Sequence, residues 1–358
     1  MMRLMIAGGG TGGHLFPGIA IAEELRAQHP DAAVRFVGTT RGIEARVVPA
    51  QGWELDTIDI SGLKTVGALG AIRGLFRIPR ALWQARRLLK AFKPDAVIGV
   101  GGYASGPVVL MARLRGIPTA ICEQNSIPGL TNKILGKLVR RVFLAFEETR
   151  RFFKPKKILM TGNPVRRDLV AKLRAGGTPD PDKLHVLVCG GSLGAVAVND
   201  LASQALIALA KERPLAIVHQ TGDKDVDKIR ARYADAGVTA EVSAFITDMA
   251  TAYLGADLIV CRAGATTVAE LAIAGKPAIF VPYPFAADDH QTRNAREMAE
   301  RGAALCFPQA ELTADKLAGA IRDLDPDRRG AMSTAMKAFG KPDAAGAVVG
   351  WLDSLPTR

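Results

Sequence analysis

The amino-acid sequence predicts an α/β protein made of two Rossmann-like, doubly wound parallel-sheet domains. Three observations carry this expectation. Short apolar runs that end in glycine alternate with longer helical patterns, the alternation starts afresh near the midpoint, and 358 residues with 48% hydrophobic content exceed one ordinary core. In order, Arg3–Ala7 meets Gly8-Gly9-Gly10, Val34–Val37 meets Gly38, and Ala96–Val100 meets Gly101-Gly102. Strand, glycine turn and helix in this rhythm are βαβ units, which build parallel sheets. A linker is expected at Thr161–Val165, separating residues 1–163 from residues 164–340. Beyond it the pattern resumes, with His185–Cys189 before Gly190-Gly191, Ala216–His219 before Gln220-Thr221-Gly222, and Leu258–Cys261 before Arg262-Ala263-Gly264. Asp95-Ala-Val-Ile-Gly-Val-Gly-Gly and Asp257-Leu-Ile-Val-Cys-Arg-Ala-Gly echo each other, each followed by a Gly-x-Pro step into the next strand.

Composition narrows the partners. The chain carries 47 Lys and Arg against 35 Asp and Glu, a net charge of +12, and residues 1–165 alone carry +13. A basic half beside a neutral half faces something anionic: nucleic acid, acidic lipid or a phosphorylated substrate. With 23% charged residues and no low-complexity tract, the chain is not expected to be disordered. Cys122, Cys189, Cys261 and Cys306 form no CxxC pair, so neither zinc nor a disulfide framework is expected and a reducing cytoplasm fits. No signal peptide and no transmembrane run is expected either.

Ligands of such sheets bind beyond the carboxyl ends of the strands, where the glycine turns lie, so the cleft between the domains is the expected active site. Gly8, Gly10 and Gly13 satisfy G-x-G-x-x-G, which leaves a dinucleotide site open, with Arg41 after the second strand pointing to NADP in an oxidoreductase; a merely tight turn is the plain alternative. His14, at the loop's end, has the near-neutral pKa needed to take a proton from a sugar hydroxyl, or else only orders the loop. Amides at Ala265–Thr267 suit a diphosphate, and Glu270 suits ribose hydroxyls or simply complements the helix dipole. Asn125 suits sugar hydroxyls or simply forms a turn, and His290 with the amides of Pro284–Asn294 suits them too or marks an ordinary capped helix start. Asp-x-Asp strings at Asp180/Asp182, Asp223/Asp225/Asp227 and Asp323/Asp325/Asp327 are expected in solvated loops rather than as metal ligands.

Lys64–Lys93 holds eight cations and no carboxylate, interleaved with more apolar residues than one buried stripe requires. Leu75, Phe76, Arg77, Arg80, Trp83, Arg86 and Arg87 are expected to enter an anionic membrane interface, the alternative being helices packed on a core with solvated basic faces. Aliphatic rather than aromatic neighbours disfavour nucleic acid. A basic membrane- or RNA-binding scaffold is the non-enzyme alternative.

Taken together, GGGTGGHLFPGIAIAEEL (8–25), GVGGYASGP (99–107), EQNSIPGLTNK (123–133), TGNPVR (161–166), GGSLGA (190–195), HQTG (219–222), FITDM (245–249), RAGATTVAE (262–270) and DDHQTRNA (288–295) resemble the MurG family of peptidoglycan N-acetylglucosaminyltransferases over essentially the whole length. The resemblance implies a GT-B fold, with residues 341–358 returning as a helix that braces the first domain, and a metal-independent, cofactor-free inverting transfer of GlcNAc from UDP-GlcNAc to undecaprenyl-diphospho-MurNAc-pentapeptide. It places the enzyme peripherally on the cytoplasmic face of the bacterial membrane and leaves room for cell-wall assembly partners, on which the residues are silent. By motif, Thr11, Gly12 and Gly13 should line the donor sugar and acceptor diphosphate region, with His14 as base. Asn125 should hold GlcNAc, Arg166 and Ser192 the donor, and Ile246 uracil through its backbone. Ala265, Thr266, Thr267 and Val268 should cradle the diphosphate, Glu270 should grip ribose, and Gln291 should bind sugar hydroxyls. His290 stands where some relatives have a second Gln, and Cys261 where Ser or Ala is frequent.

Overall fold

The structure, a computed structural model, describes residues 1–60, 68–177, 180, 182–191 and 194–356, with the side chains of residues 68–77 excluded. It divides into two units, residues 1–167 with 341–358, and residues 168–340. The division falls after Arg167 rather than after residue 163, so Arg166 belongs to the first unit.

In the first unit the strands are β1 (Arg3–Gly8), β2 (Ala33–Gly38), β3 (Glu54–Thr57), β4 (Ala96–Gly101), β5 (Thr119–Glu123), β6 (Arg141–Leu144) and β7 (Ile158–Met160). They form a parallel sheet in the order β3-β2-β1-β4-β5-β6-β7. Helices α1 (Gly12–Gln28), α2 (Glu44–Ala50), α3 (Ala68–Phe92), α4 (Ser105–Leu114) and α5 (Leu130–Gly136) connect them. The middle of β1 is fully buried because both faces are covered. Leu4 and Ile6 enter a cluster with Leu15, Ile19 and Leu25 of α1, whereas Met5 and Ala7 enter one with Ala85 and Leu89 of α3 and Val108 and Val109 of α4. The chain runs through Pro79 in a single helix α3.

The second unit opens with α6 (Arg167–Ala175) and carries β8 (Leu184–Cys189), β9 (Leu215–Gln220), β10 (Glu241–Ser243), β11 (Leu258–Cys261), β12 (Ala278–Phe280) and β13 (Ala304–Cys306). These strands are also parallel, in the order β10-β9-β8-β11-β12-β13. Its other helices are α7 (Val196–Ala210), α8 (Val226–Asp235), α9 (Met249–Leu254), α10 (Ala265–Ala274), α11 (His290–Glu300), α12 (Ala314–Arg322) and α13 (Pro326–Phe339). The last helix, α14 (Ala344–Asp353), packs on α1 and adds Val348, Val349, Trp351 and Leu352 to the first unit's core.

In both sheets the strand order reverses beside the first strand. The turns after β1 and β4, and after β8 and β11, therefore flank the switch points where this architecture binds ligands.

Candidate functional site

The turn after β1 is held from beneath by a carboxylate that sequence reasoning missed. Glu44, in the first turn of α2, is 1% exposed and accepts from Gly10 N at 2.7 Å and from Thr39 N and Thr39 Oγ1 at 2.9 Å each. A Cβ on Gly9, Gly38 or Gly42 would collide with its carboxyl group, so three glycines make room for one side chain. Burial alone would raise the Glu44 pKa, but these N–H and O–H donors outweigh it and hold the group below its ordinary value.

The loop so fixed delivers Thr11 as N-cap, with Gly12, Gly13 and His14 as the first turn of α1. Thr11 does not cap the helix with its side chain. Its Oγ1 lies 3.2 Å from His14 Nδ1, and this first turn carries no acidic residue of its own, although the Glu44 carboxylate accepts from Gly10 N just before it. The imidazole also rests against the turn after β4, where Gly101 (φ +98°) leaves no Cβ to strike the ring. When Nδ1–H donates to Thr11 Oγ1, Nε2 is the basic nitrogen.

Beyond β5, Asn125 donates from its backbone to Glu123 Oε1 at 3.1 Å, and its carbonyl accepts from Thr149 Oγ1 at 2.9 Å. Glu123 is 3% exposed and also receives Asn132 Nδ2 at 2.8 Å and Gly129 N at 3.3 Å. Burial nevertheless pushes its pKa up to about 7 against those donors. Arg166 sits 5.8 Å from the Phe16 ring of α1.

In the second unit, Gly264 caps α10, so the amides of Ala265, Thr266 and Thr267 form its first turn. Val268 follows them in the helix: its N–H donates to Gly264 O at 2.9 Å and its side chain is buried. The Glu270 carboxylate accepts the Tyr253 hydroxyl at 2.8 Å. Gln291 Oε1 accepts from Tyr283 N at 3.0 Å, and His290 Nδ1 lies 2.7 Å from Ala287 O. Ile246 is half-buried between β10 and α9, and Ser192 lies outside the described residues. Asp225 departs from the solvated-loop expectation: it is buried and accepts from Asn199 Nδ2 at 2.8 Å, because a buried amide needs an acceptor. Among the described residues no three His, Cys, Asp or Glu side chains group to hold a metal ion.

On α3, Ala81, Ala85, Leu89 and Phe92 face the core, so part of the stretch packs as an ordinary helix. The opposite side exposes Arg80, Arg86, Arg87 and Trp83, the last 57% exposed with Arg87 4.8 Å from its ring. Arg80 reaches Asp59 at 3.6 Å. The side chains of Leu75, Phe76 and Arg77 lie outside the described residues. The sequence reading missed Leu114, 71% exposed at the end of α4, and exposed Leu130 and Ile134 on α5, with Arg113, Arg115, Lys133 and Lys137 nearby in sequence. Among the described residues no helix is long and apolar enough to cross a membrane.

Comparison with known proteins finds two family models. Residues 4–144 match the glycosyltransferase family 28 N-terminal domain and residues 185–348 its C-terminal domain. A protein of Myxococcus xanthus (strain DK1622) named UDP-N-acetylglucosamine--N-acetylmuramyl-(pentapeptide) pyrophosphoryl-undecaprenol N-acetylglucosamine transferase is 51% identical over 348 residues, covering 96% of this chain and 91% of its own. A protein of the same name from Geobacter sulfurreducens is 49% identical, with 97% of each chain covered. The crystal structure of Acinetobacter baumannii MurG superposes with a TM-score of 0.84 at 38% identity, covering 99% of this chain and all of the other. The Neisseria meningitidis UDP-GlcNAc 2-epimerase, at 14% identity and a TM-score of 0.69, shares the fold alone.

Proposed function

The chain belongs to glycosyltransferase family 28, with the MurG N-acetylglucosaminyltransferases, and from that premise we propose how its residues divide the work of moving GlcNAc from UDP-GlcNAc to undecaprenyl-diphospho-MurNAc-pentapeptide in peptidoglycan synthesis. The 4-hydroxyl of MurNAc attacks the anomeric carbon of UDP-α-GlcNAc, the β-1,4 bond forms with inversion, and the bond to the UDP oxygen breaks. His14 Nε2 takes the hydroxyl proton while Nδ1–H donates to Thr11. The electron pair leaves on the UDP diphosphate, stabilised by the amides of Ala265, Thr266 and Thr267 at the positive end of α10 and by Arg166. Glu270 holds ribose, Ile246 meets uracil through its backbone, Ser192 contacts the donor, and Asn125 and Gln291 bind sugar hydroxyls. Thr11, Gly12 and Gly13 line the donor sugar and acceptor diphosphate region at the N-terminal end of α1, whose own first turn contains no acidic residue.

The observation that carries this reading is the imidazole of His14, locked in the first turn of α1 between Thr11 and Gly101. The NADP oxidoreductase alternative is not supported: both family models are those of glycosyltransferases, and the Gly10 amide that a dinucleotide would need already donates to Glu44. The exposed cations of α3, with Trp83 and Leu114, are read as a face for the anionic cytoplasmic leaflet, which makes the enzyme peripheral. Mixing UDP-GlcNAc with the lipid acceptor and following UDP release tests the whole reading. Release that needs both substrates is the expected result; binding of NADPH without UDP release would overturn it.

A further inference from the structure

Tyr253 and Glu270 form a pair to which the chemistry above gives no role. Tyr253 lies in α9 and is 2% exposed, yet its hydroxyl reaches across to α10 and donates to Glu270 Oε2 at 2.8 Å. A buried phenol is costly without an acceptor, so the burial of the ring and the position of the carboxylate are tied together. Burial first, and then the Glu270 charge, hold the phenol pKa well above its ordinary value, so the group stays a donor at any pH where the enzyme works. Glu270 is the sixth residue of α10, in the helix whose first turn carries Ala265, Thr266 and Thr267. A glutamate in a helix samples several rotamers, and fixing one carboxylate oxygen selects among them before any ligand arrives.

We propose that Tyr253 is a positioning residue for donor recognition: its hydroxyl presents the Glu270 carboxylate to the ribose of the UDP-sugar, so that Tyr253 sets donor affinity and ribose selectivity without touching the donor. This rests on the reading above that Glu270 grips ribose. A carboxylate already held in place loses less conformational entropy when the ribose binds, so the effect falls on donor binding rather than on the chemical step.

The test uses the full-length enzyme with the lipid acceptor saturating, and two donors: UDP-GlcNAc and its analogues lacking the ribose 2′- or 3′-hydroxyl. Tyr253→Phe keeps the ring and removes one oxygen. It should raise the KM for UDP-GlcNAc about 3- to 10-fold while kcat stays within about twofold. With the deoxy-donor that no longer meets Glu270, the substitution should leave KM unchanged, a selectivity that loss of packing would not produce. Glu270→Gln should raise KM for UDP-GlcNAc as well, and the double variant should lose less than the product of the two single effects. Where Tyr253→Phe does not fold, 4-fluorophenylalanine placed at position 253 fills the hydroxyl's volume without donating to Glu270, and should raise KM for UDP-GlcNAc in the same selective way. If Glu270→Gln raises KM but Tyr253→Phe does not, or if Tyr253→Phe affects every donor equally, the positioning role is overturned and the ribose reading stands. If Glu270→Gln leaves KM for UDP-GlcNAc at the wild-type value, the ribose reading itself falls, and the proposal with it.

Discussion

The first unit carries 28 Lys and Arg against 13 Asp and Glu, a net +15, whereas the second carries 19 against 22, a net −3, although both wind the same central strand order. Their glycine turns are braced in opposite senses. After β1, the Glu44 carboxylate accepts an amide hydrogen from Gly10; after β8, Gln220 Nε2 donates to the carbonyl of Gly191 at 3.1 Å and to Ala244 O at 2.9 Å. The scaffold is common to both, and what differs is which backbone group the protein occupies and what sign of charge the surface presents. Fold therefore places the sites, while side chains decide what each can receive. In the proposed reading, the basic unit meets a diphospholipid in an acidic membrane and the near-neutral unit meets a soluble nucleotide sugar.

This division of labour can be broken at its strongest point by His14→Ala. Turnover should fall about 10²–10⁴-fold while UDP-GlcNAc affinity, assigned mainly to the other unit, stays near wild type by equilibrium titration. Nearly normal turnover would remove His14 from the base role.

Glu123 supplies the next largest effect, and it concerns the first unit alone. Burial holds its folded pKa at about 7, above the ordinary glutamate value of 4.5, so the neutral acid is the form the fold prefers. The stability it contributes is fully present below pH 4.5 and is lost as pH rises through about 7, a change on the order of 3 kcal/mol. Urea unfolding of wild type and Glu123→Gln across this interval should show a falling difference between the two proteins. A flat or rising difference would mean that the Asn125, Gly129 and Asn132 donors outweigh burial.

Glu44→Gln replaces an acceptor oxygen with a donor facing either the Gly10 or the Thr39 amide, and should cost about 2 kcal/mol of stability. A thermal transition lowered without any loss of UDP binding would sharpen the contrast between the units; lost UDP binding would blur it. Smallest, Arg87→Ala should weaken sedimentation with anionic vesicles about fivefold at low salt, near 1 kcal/mol, and less at high salt. Unchanged sedimentation would favour a solvated basic face over a membrane contact.

The central strands were legible because burial on both faces demands uninterrupted apolar runs. Leu258–Cys261 was read with its observed limits, and Arg3–Ala7 and Ala96–Val100 each fell one residue short of the strand. Edge strands such as Glu54–Thr57 and Glu241–Ser243 were not, since a short strand with an exposed face carries little apolar signal. His14 could be picked out because its motif is continuous in sequence. Glu44 could not: it meets Gly10 across 34 positions, and its only trace in the sequence is the pair Gly38 and Gly42 on either side of Thr39. Tyr253 reads as an ordinary core aromatic until α9 and α10 are seen side by side.

Helix α14 has a consequence for how the chain comes to be folded. Trp351 meets Phe143 edge to face with ring centroids 5.5 Å apart, and Val348, Val349 and Leu352 fill the same core. During synthesis that core must wait until all of residues 168–340 have emerged, whereas the second unit is contiguous and can close on itself first. The unit that begins the chain is thus the last to be finished, and removal of residues 341–358 should leave a first unit that is soluble only with its apolar side covered by a chaperone.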